Sequence, residues 1–186
     1  NPPPPPKPPK EVPPLLPHKF SVGGPGVAVG DVDGDGIDDV FVGADRGYAS
    51  ALHHQGNPGT FREPVPLEHA EPFEDMGALL FDADGDGDND LYVVSGGSFA
   101  VDAPDRYQDR LYVNDGGSFR YDSEALPATT ASGSSVSAAD YDADGDLDLF
   151  VAGRVIPGRY PLAPRSYLLR NDTEPGGTPR FVDVTE

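Results

Sequence analysis

Asp82-Ala83-Asp84-Gly85-Asp86-Gly87-Asp88-Asn89-Asp90 runs directly into Leu91-Tyr92-Val93-Val94-Ser95, and the reading of this join decides the fold. The acidic nonapeptide recurs as Asp31-Val32-Asp33-Gly34-Asp35-Gly36-Ile37-Asp38-Asp39 and as Asp140-Tyr141-Asp142-Ala143-Asp144-Gly145-Asp146-Leu147-Asp148. All three copies obey D-x-D-x-D-G-x-x-D, with carboxylates at loop positions 1, 3, 5 and 9 and glycine at position 6. A solvated acidic turn explains one such segment; it does not explain three in one register.

Alternate residues of a tight loop can turn their carboxylates toward one point, and Ca²⁺ asks for six to eight oxygens at ~2.3–2.6 Å. In the first copy Asp31, Asp33, Asp35 and Asp39 are the side-chain candidates, with the Ile37 carbonyl beside them. The second offers Asp82, Asp84, Asp86, Asp90 and the Asp88 carbonyl, and the third Asp140, Asp142, Asp144, Asp148 and the Asp146 carbonyl. Three Ca²⁺ sites are therefore expected. Gly36, Gly87 and Gly145 stand where the chain must reverse, and a positive φ is expected there.

An EF-hand shares the first positions and the glycine but places a bidentate Glu at position 12. Here position 12 is Val42, Val93 and Val151. Those valines lie in short β-branched and aromatic runs with no helical period, and the residues before each loop (Val27–Val29, Ala78–Phe81, Val136–Ala139) are also short and apolar. Each loop thus joins two strands, which excludes the EF-hand. Calcium-binding β-helices repeat every nine residues without intervening strands and are excluded too.

The first positions of the loops are 51 and 58 residues apart, the length of a supersecondary repeat. After the second loop comes Arg110-Leu111-Tyr112-Val113-Asn114-Asp115-Gly116-Gly117-Ser118-Phe119, and after the third Tyr167-Leu168-Leu169-Arg170-Asn171-Asp172, then Phe181-Val182-Asp183-Val184. Each reads as a strand, an Asn/Asp/Gly turn and a further strand. Ala51 to Phe61 reads as a weaker hairpin of the same kind in the first unit. Every unit then holds about four strands, the content of one propeller blade.

On these loops, the apolar run after each and the Leu-Tyr-x-Asn-Asp-Gly-Gly-x-Phe hairpin, the chain resembles the FG-GAP or VCBS repeats of integrin-type β-propellers. The stretch from Leu15 to Ala44 looks like the opening of large secreted bacterial proteins of the VCBS, ASPIC/UnbV type, although an intact Phe-Gly and Gly-Ala-Pro pair is missing. The resemblance implies an all-β fold with calcium between the first two strands of each blade. It also implies an extracellular or cell-surface role in adhesion or recognition, and no catalysis.

The expected architecture is three four-stranded propeller-type blades at 20–74, 75–131 and 132–186, preceded by a proline-rich arm at 1–19. Ten of the 22 prolines fall between Pro2 and Pro17, which favours an extended polyproline II rod acting as a spacer or docking arm. Closed propellers use about four to eight blades, so three form an open arc, completed by more of a longer protein or by other chains. The chain carries −19 net charge, and fifteen of its 32 acidic residues lie in the loops. Such a surface repels nucleic acid and anionic membranes. There is no cysteine for disulfides, no apolar run long enough to span a bilayer and no signal peptide at residue 1.

For catalysis there is no Cys nucleophile, no G-x-S-x-G elbow and no phosphate-cradling glycine loop. His53 and His54 are adjacent and on a strand point to opposite faces, so they are not expected to share a metal. A part in a carbohydrate-active propeller enzyme stays as the weakest alternative. Tyr48, Phe99, Tyr107, Tyr112, Tyr121 and Tyr160, with Arg106, Arg110, Arg154, Arg159 and Arg165, are candidates for a protein or glycan ligand, although blade packing is the stronger reading for any one of them. Asn171-Asp172-Thr173 matches a glycosylation sequon but is explained as a turn, and glycosylation is not expected. The reading is a non-catalytic, calcium-stabilised module for recognition or assembly, with self-association into a filament as the alternative.

Overall fold

The computed structural model describes residues 25–98, 103–174 and 176–186. The proline-rich arm lies outside the described residues. Among the described residues there are fourteen strands: β1 (Val27–Gly30), β2 (Asp39–Val42), β3 (Ala51–His53), β4 (Gln55–Asn57), β5 (Thr60–Phe61), β6 (Val65–Pro66), β7 (Asp75–Phe81), β8 (Asp90–Ser95), β9 (Arg110–Asp115), β10 (Ser118–Asp122), β11 (Ser132–Ala139), β12 (Asp148–Val155), β13 (Tyr167–Asn171) and β14 (Phe181–Asp183). The only helical element among the described residues is a 3₁₀ turn at Pro104–Tyr107.

These strands make three four-stranded antiparallel sheets, β1-β2-β3-β6, β7-β8-β9-β10 and β11-β12-β13-β14, and a two-stranded ribbon β4-β5. Among the described residues no sheet closes on itself. Sheet 1 departs from the hairpin expected between Ala51 and Phe61. β3 pairs with β6, Leu52 opposite Val65, while Gln55–Asn57 and Thr60–Phe61 leave the sheet as the separate ribbon. Proline explains the edge position of β6: Pro66 has no N–H to give a further strand.

Period-two alternation places the cores. Along β8, Leu91 and Val93 face sheet 1 while Tyr92 and Val94 face sheet 3, so all four are buried. One core joins Ala28, Val32, Phe41, Leu52 and Leu67 to Leu91, Val93 and Tyr112. The other joins Phe81, Tyr92, Val94 and Leu111 to Leu149, Val151, Tyr167, Leu169 and Phe181. The hydrophobic surface is thus buried between successive sheets, as in a stacked repeat.

The first strands approach closely. A Cβ on Gly26 would stand 2.7 Å from the backbone of Gly77, and one on Gly77 2.9 Å from the Ser134 carbonyl oxygen. Only glycine permits such backbone-to-backbone contact. Beside this line, Gly26 N–H donates to Asp75 O at 3.0 Å and Asp75 N–H to Ala44 O at 3.0 Å, stitching sheet 2 to sheet 1.

Sheet 2 carries a buried polar cluster. Arg110 is fully buried and pairs through Nη2 with Oδ1 of Asp75, whose Oδ2 accepts the Ala44 N–H at 2.9 Å. The Phe73 ring covers the guanidinium at 4.4 Å. Breaking such a pair by removing one partner costs about 3–5 kcal/mol, because a charge is left buried alone. Arg110, Tyr107 and Tyr112 are therefore interior residues and leave the roll of candidate ligand contacts.

Asp109 accepts hydrogen bonds from the Tyr92 hydroxyl at 2.8 Å and the Ser95 N–H at 2.7 Å. Burial nevertheless pushes its carboxyl from 3.8 up to about 7. The folded state then holds a proton that the unfolded chain releases, so this group's contribution to stability falls as pH rises from about 4 to about 7 and is level above that. Asp109→Asn keeps the site neutral throughout. Urea midpoints of the variant and the parent, both in calcium chloride, are expected to diverge in the variant's favour across that window; a gap that does not change with pH would refute the raised carboxyl.

Candidate metal centre

Each acidic loop folds around its own first aspartate. Asp31 Oδ1 accepts the Gly34 N–H at 2.8 Å and its Oδ2 the Gly36 N–H at 2.9 Å. Asp82 does the same for Gly85 at 2.7 Å and Gly87 at 3.1 Å, and Asp140 accepts from Gly145 at 3.2 Å. These bonds curl the loop; in the first two copies the carboxylates at positions 3 and 5 gather beside that of position 1, and in the third those at positions 3 and 9 do. Position 6 takes the left-handed conformation in every copy, at φ 83° in Gly36, 96° in Gly87 and 105° in Gly145. Position 4 does so as well, which the sequence reading missed: Gly34 at 74°, Gly85 at 78° and, in the third loop, Ala143 at 64°.

The ninth aspartate is a buried clamp. Asp39, Asp90 and Asp148 are almost completely enclosed. One oxygen of each receives the N–H of loop position 2, from Val32 at 3.2 Å, Ala83 at 2.8 Å and Tyr141 at 3.0 Å. The other oxygen receives an N–H from the third strand region, from Gln55 at 2.7 Å, Asn114 at 2.8 Å and Asn171 at 2.8 Å.

Three groups of loop carboxylates each place one oxygen per residue within 4.8 Å of the others: Asp31, Asp33 and Asp35; Asp82, Asp84 and Asp86; and Asp140, Asp142 and Asp148. The donor set is all hard oxygen, and Asp146 Oδ1 is buried with no hydrogen-bond partner. An orphaned oxygen beside crowded carboxylates fits a hard divalent cation. The crowding shows in the titration. Burial raises the Asp90 carboxyl to about 6 against the pull of the Asn114 and Ala83 N–H groups. Asp146 also stands at about 6, from desolvation first and the Asp144 and Asp148 charges next. Asp84 and Asp142 are raised by desolvation, then by Asp86 and Asp144 respectively.

Neighbouring sheets close over the loops. Asn114 Nδ2 of sheet 2 donates to Val32 O in the first loop at 2.8 Å and to Asn89 O in its own loop at 3.1 Å. Asn171 repeats this one sheet later, to Ala83 O at 3.0 Å and Leu147 O at 3.4 Å. Asn171 is buried by these bonds, so the sequon is a structural turn and its amide is not presented to a glycosylating enzyme. In sheet 1 the place is taken by Gln55, which reaches only its own loop, at Asp38 O, 3.1 Å away.

The two adjacent histidines do diverge. His53 meets the Phe61 ring edge-on at 6.4 Å, while His54 turns to the first loop, with Nδ1 3.7 Å from Asp33 Oδ2 and 3.5 Å from Asp39 Oδ2. His54 alone stands with Asp33 and Asp39 in a group of candidate ligand atoms within 4.8 Å of one another. The adjacency argument excluded only a metal shared by both rings.

Fold and loops together define a repeat protein of four-stranded antiparallel units with an acidic loop between the first two strands of each. Residues 31–93 and 94–151 match the FG-GAP-like repeat, and the chain belongs to that family. The family implies a β-propeller-type repeat module, generally non-catalytic. No curated protein matches the chain.

A residue with a Cβ in the left-handed region costs about 1–2 kcal/mol, partly offset by the ~0.5–1 kcal/mol of chain entropy that glycine loses on folding. Ala143→Gly is therefore expected to raise stability by about 0.5–1 kcal/mol. Gly85→Ala, at a position with no atom within 4 Å of the added Cβ, is expected to lower it through backbone strain alone. Urea midpoints decide this, and a loss on Ala143→Gly would sink it.

Proposed function

We propose that the chain is a non-catalytic calcium-binding β-propeller-type module of an extracellular or cell-surface protein, acting in adhesion or recognition. The observation that carries the metal reading is the recurrence: each of the three loops gathers three carboxylate oxygens within 4.8 Å of one another, from positions 1, 3 and 5 in the first two copies and from positions 1, 3 and 9 in the third. Asp31, Asp33, Asp35 and Asp39, with their counterparts Asp82, Asp84, Asp86 and Asp90 and Asp140, Asp142, Asp144 and Asp148, are the side chains that hold Ca²⁺; the Ile37, Asp88 and Asp146 carbonyls complete the shells. Bound calcium neutralises carboxylates that otherwise repel, and so fixes the turn between the first two strands of each blade. The blades span 20–74, 75–131 and 132–186. No helix among the described residues is long and apolar enough to cross a membrane.

A ligand that binds the folded state adds RT ln(1 + [L]/Kd), about 2.7 kcal/mol per site at a hundred times Kd. Melting in calcium is thus expected to exceed melting in a chelator by many degrees, and calorimetry to count three sites, falling by one in Asp86→Ala. Identical melting in calcium and chelator defeats the metal reading.

A second reading, assembly with further blades, has its own support. Phe41 and Tyr92 occupy one register position facing the following sheet and are fully buried, whereas Phe150 at the same position of sheet 3 is 52% exposed. On the opposite side of the array Val27 and Val29 are 54% and 59% exposed, where Ala78 and Leu80 of sheet 2 are covered. Light scattering at increasing concentration is expected to show masses above 19.6 kDa that fall back with Phe150→Asp. A concentration-independent monomer removes self-association and leaves the recognition module.

A further inference from the structure

We propose that the first loop, unlike the other two, is a mixed nitrogen–oxygen site in which His54 joins Asp33 and Asp39 to take a first-row divalent cation of the zinc or cobalt class. This deepens the reading of the loops as metal sites and rests on it for the loop's general character.

The three donor atoms, Asp33 Oδ2, Asp39 Oδ2 and His54 Nδ1, lie within 4.8 Å of one another. Nδ1 is 3.7 Å from the first oxygen and 3.5 Å from the second. Tetrahedral coordination with bonds of ~2.0–2.1 Å sets its ligand atoms ~3.3–3.4 Å apart, so closing the triangle on a metal needs shifts of only a few tenths of an ångström on these two edges. His54 Nδ1 is buried and has no hydrogen-bond partner. A buried ring nitrogen without a hydrogen-bond partner, facing two carboxylates, is the donor set that imidazole-seeking metals take and that Ca²⁺ does not require.

Register makes the first loop unlike its repeats. His53 lies opposite Val40, so His54 follows opposite Asp39. The matching places opposite Asp90 and Asp148 are held by Val113 and Arg170, the residues after Tyr112 and Leu169. Neither supplies a neutral nitrogen ligand. The outer surroundings are also set. Asp39 is anchored by the Val32 and Gln55 N–H groups. Gly117 of the next sheet covers the site so closely that a Cβ there would stand 2.9 Å from Asp33 Cβ and 3.5 Å from His54 Cε1. Arg62 Nη1 touches Asp33 Oδ2 at 3.4 Å, but its side chain is 58% exposed and is free to swing into solvent when a cation arrives. Two carboxylates and a neutral imidazole balance the charge of one divalent ion. Since Asp33 and Asp39 belong to both donor sets, Ca²⁺ and the transition metal compete for this loop alone.

The test uses the full chain titrated with cobalt chloride, read by visible d–d absorption, with terbium luminescence reporting the oxygen-only loops in parallel. The expected result is one cobalt per chain with an absorption band typical of low coordination, and at least about tenfold weaker binding in His54→Val, which installs the residue of sheet 2. Terbium binding at the second and third loops should not change in that variant. His54→Gln serves as a second variant that keeps a polar side chain, and Asp86→Ala as a control that should spare the cobalt site. Cobalt bound equally by the parent and both His54 variants overturns the inference, even if calcium fills all three loops. Cobalt held through His54 with no calcium or terbium bound anywhere supports it while defeating the calcium reading.

Discussion

A buried carboxylate at the ninth place of each loop holds the rest of the structure in register. Asp39, Asp90 and Asp148 sit at the mouth of the second strand, and both oxygens of each are engaged by backbone N–H groups from two different segments. One bond ties down the start of the loop; the other ties the end of the third strand to it. Three strands therefore meet at a single side chain. Its environment explains why the chain tolerates so expensive a group: an aspartate out of water is stable only when its lone pairs are filled, and a hydrogen bond donated by an N–H to a carboxylate oxygen is among the stronger kinds. Charge crowding in the loop sits directly above this clamp, so metal binding and strand pairing act on the same few atoms.

The second constraint is between sheets. Asn114 and Asn171 each spend one amide group on two carbonyls, one in their own loop and one in the preceding loop. Beneath them, Val32 and Ala83 are buried at loop position 2, while Tyr141, with no later sheet above it among the described residues, is 48% exposed. Acidic loops and apolar cores are thus built by the same packing event, since the sheet that buries Leu91 or Leu149 also delivers the asparagine.

Much of this was readable from local pattern. The loop spacing, the switch to period-two apolar residues and the turn glycines act over fewer than ten residues, and the strands flanking each loop fall where those signals place them. What could not be read is what depends on distant partners. Asn171 and Ala83 are 88 positions apart, and nothing in Leu-Leu-Arg-Asn-Asp announces that its asparagine reaches a neighbouring loop. Arg110 is open in its local sequence to either ligand contact or packing, and it is Asp75, 35 residues away, that takes it inside. His54 was judged by its neighbour His53 and not by the loop across the sheet. The pairing of β3 with Val65–Pro66 overrode a nearer hairpin, and Leu67, next after β6, is buried in the first core with its N–H bonded to Ser50 O.

The amide stitch also has a direction. The donor always comes from the later sheet and the acceptor carbonyl from the earlier one, so the array has a polarity, like a filament with two unlike ends. At the late end loop position 2 is Tyr141, whose counterparts Val32 and Ala83 each give their carbonyl to the asparagine of the following sheet; at the early end Gln55 has turned its amide back onto its own loop. Whatever meets the late end must bring a donor, and whatever meets the early end need bring only an apolar face. Two copies of one blade are therefore not interchangeable in this stack, and order along the chain is written into the chemistry of each junction.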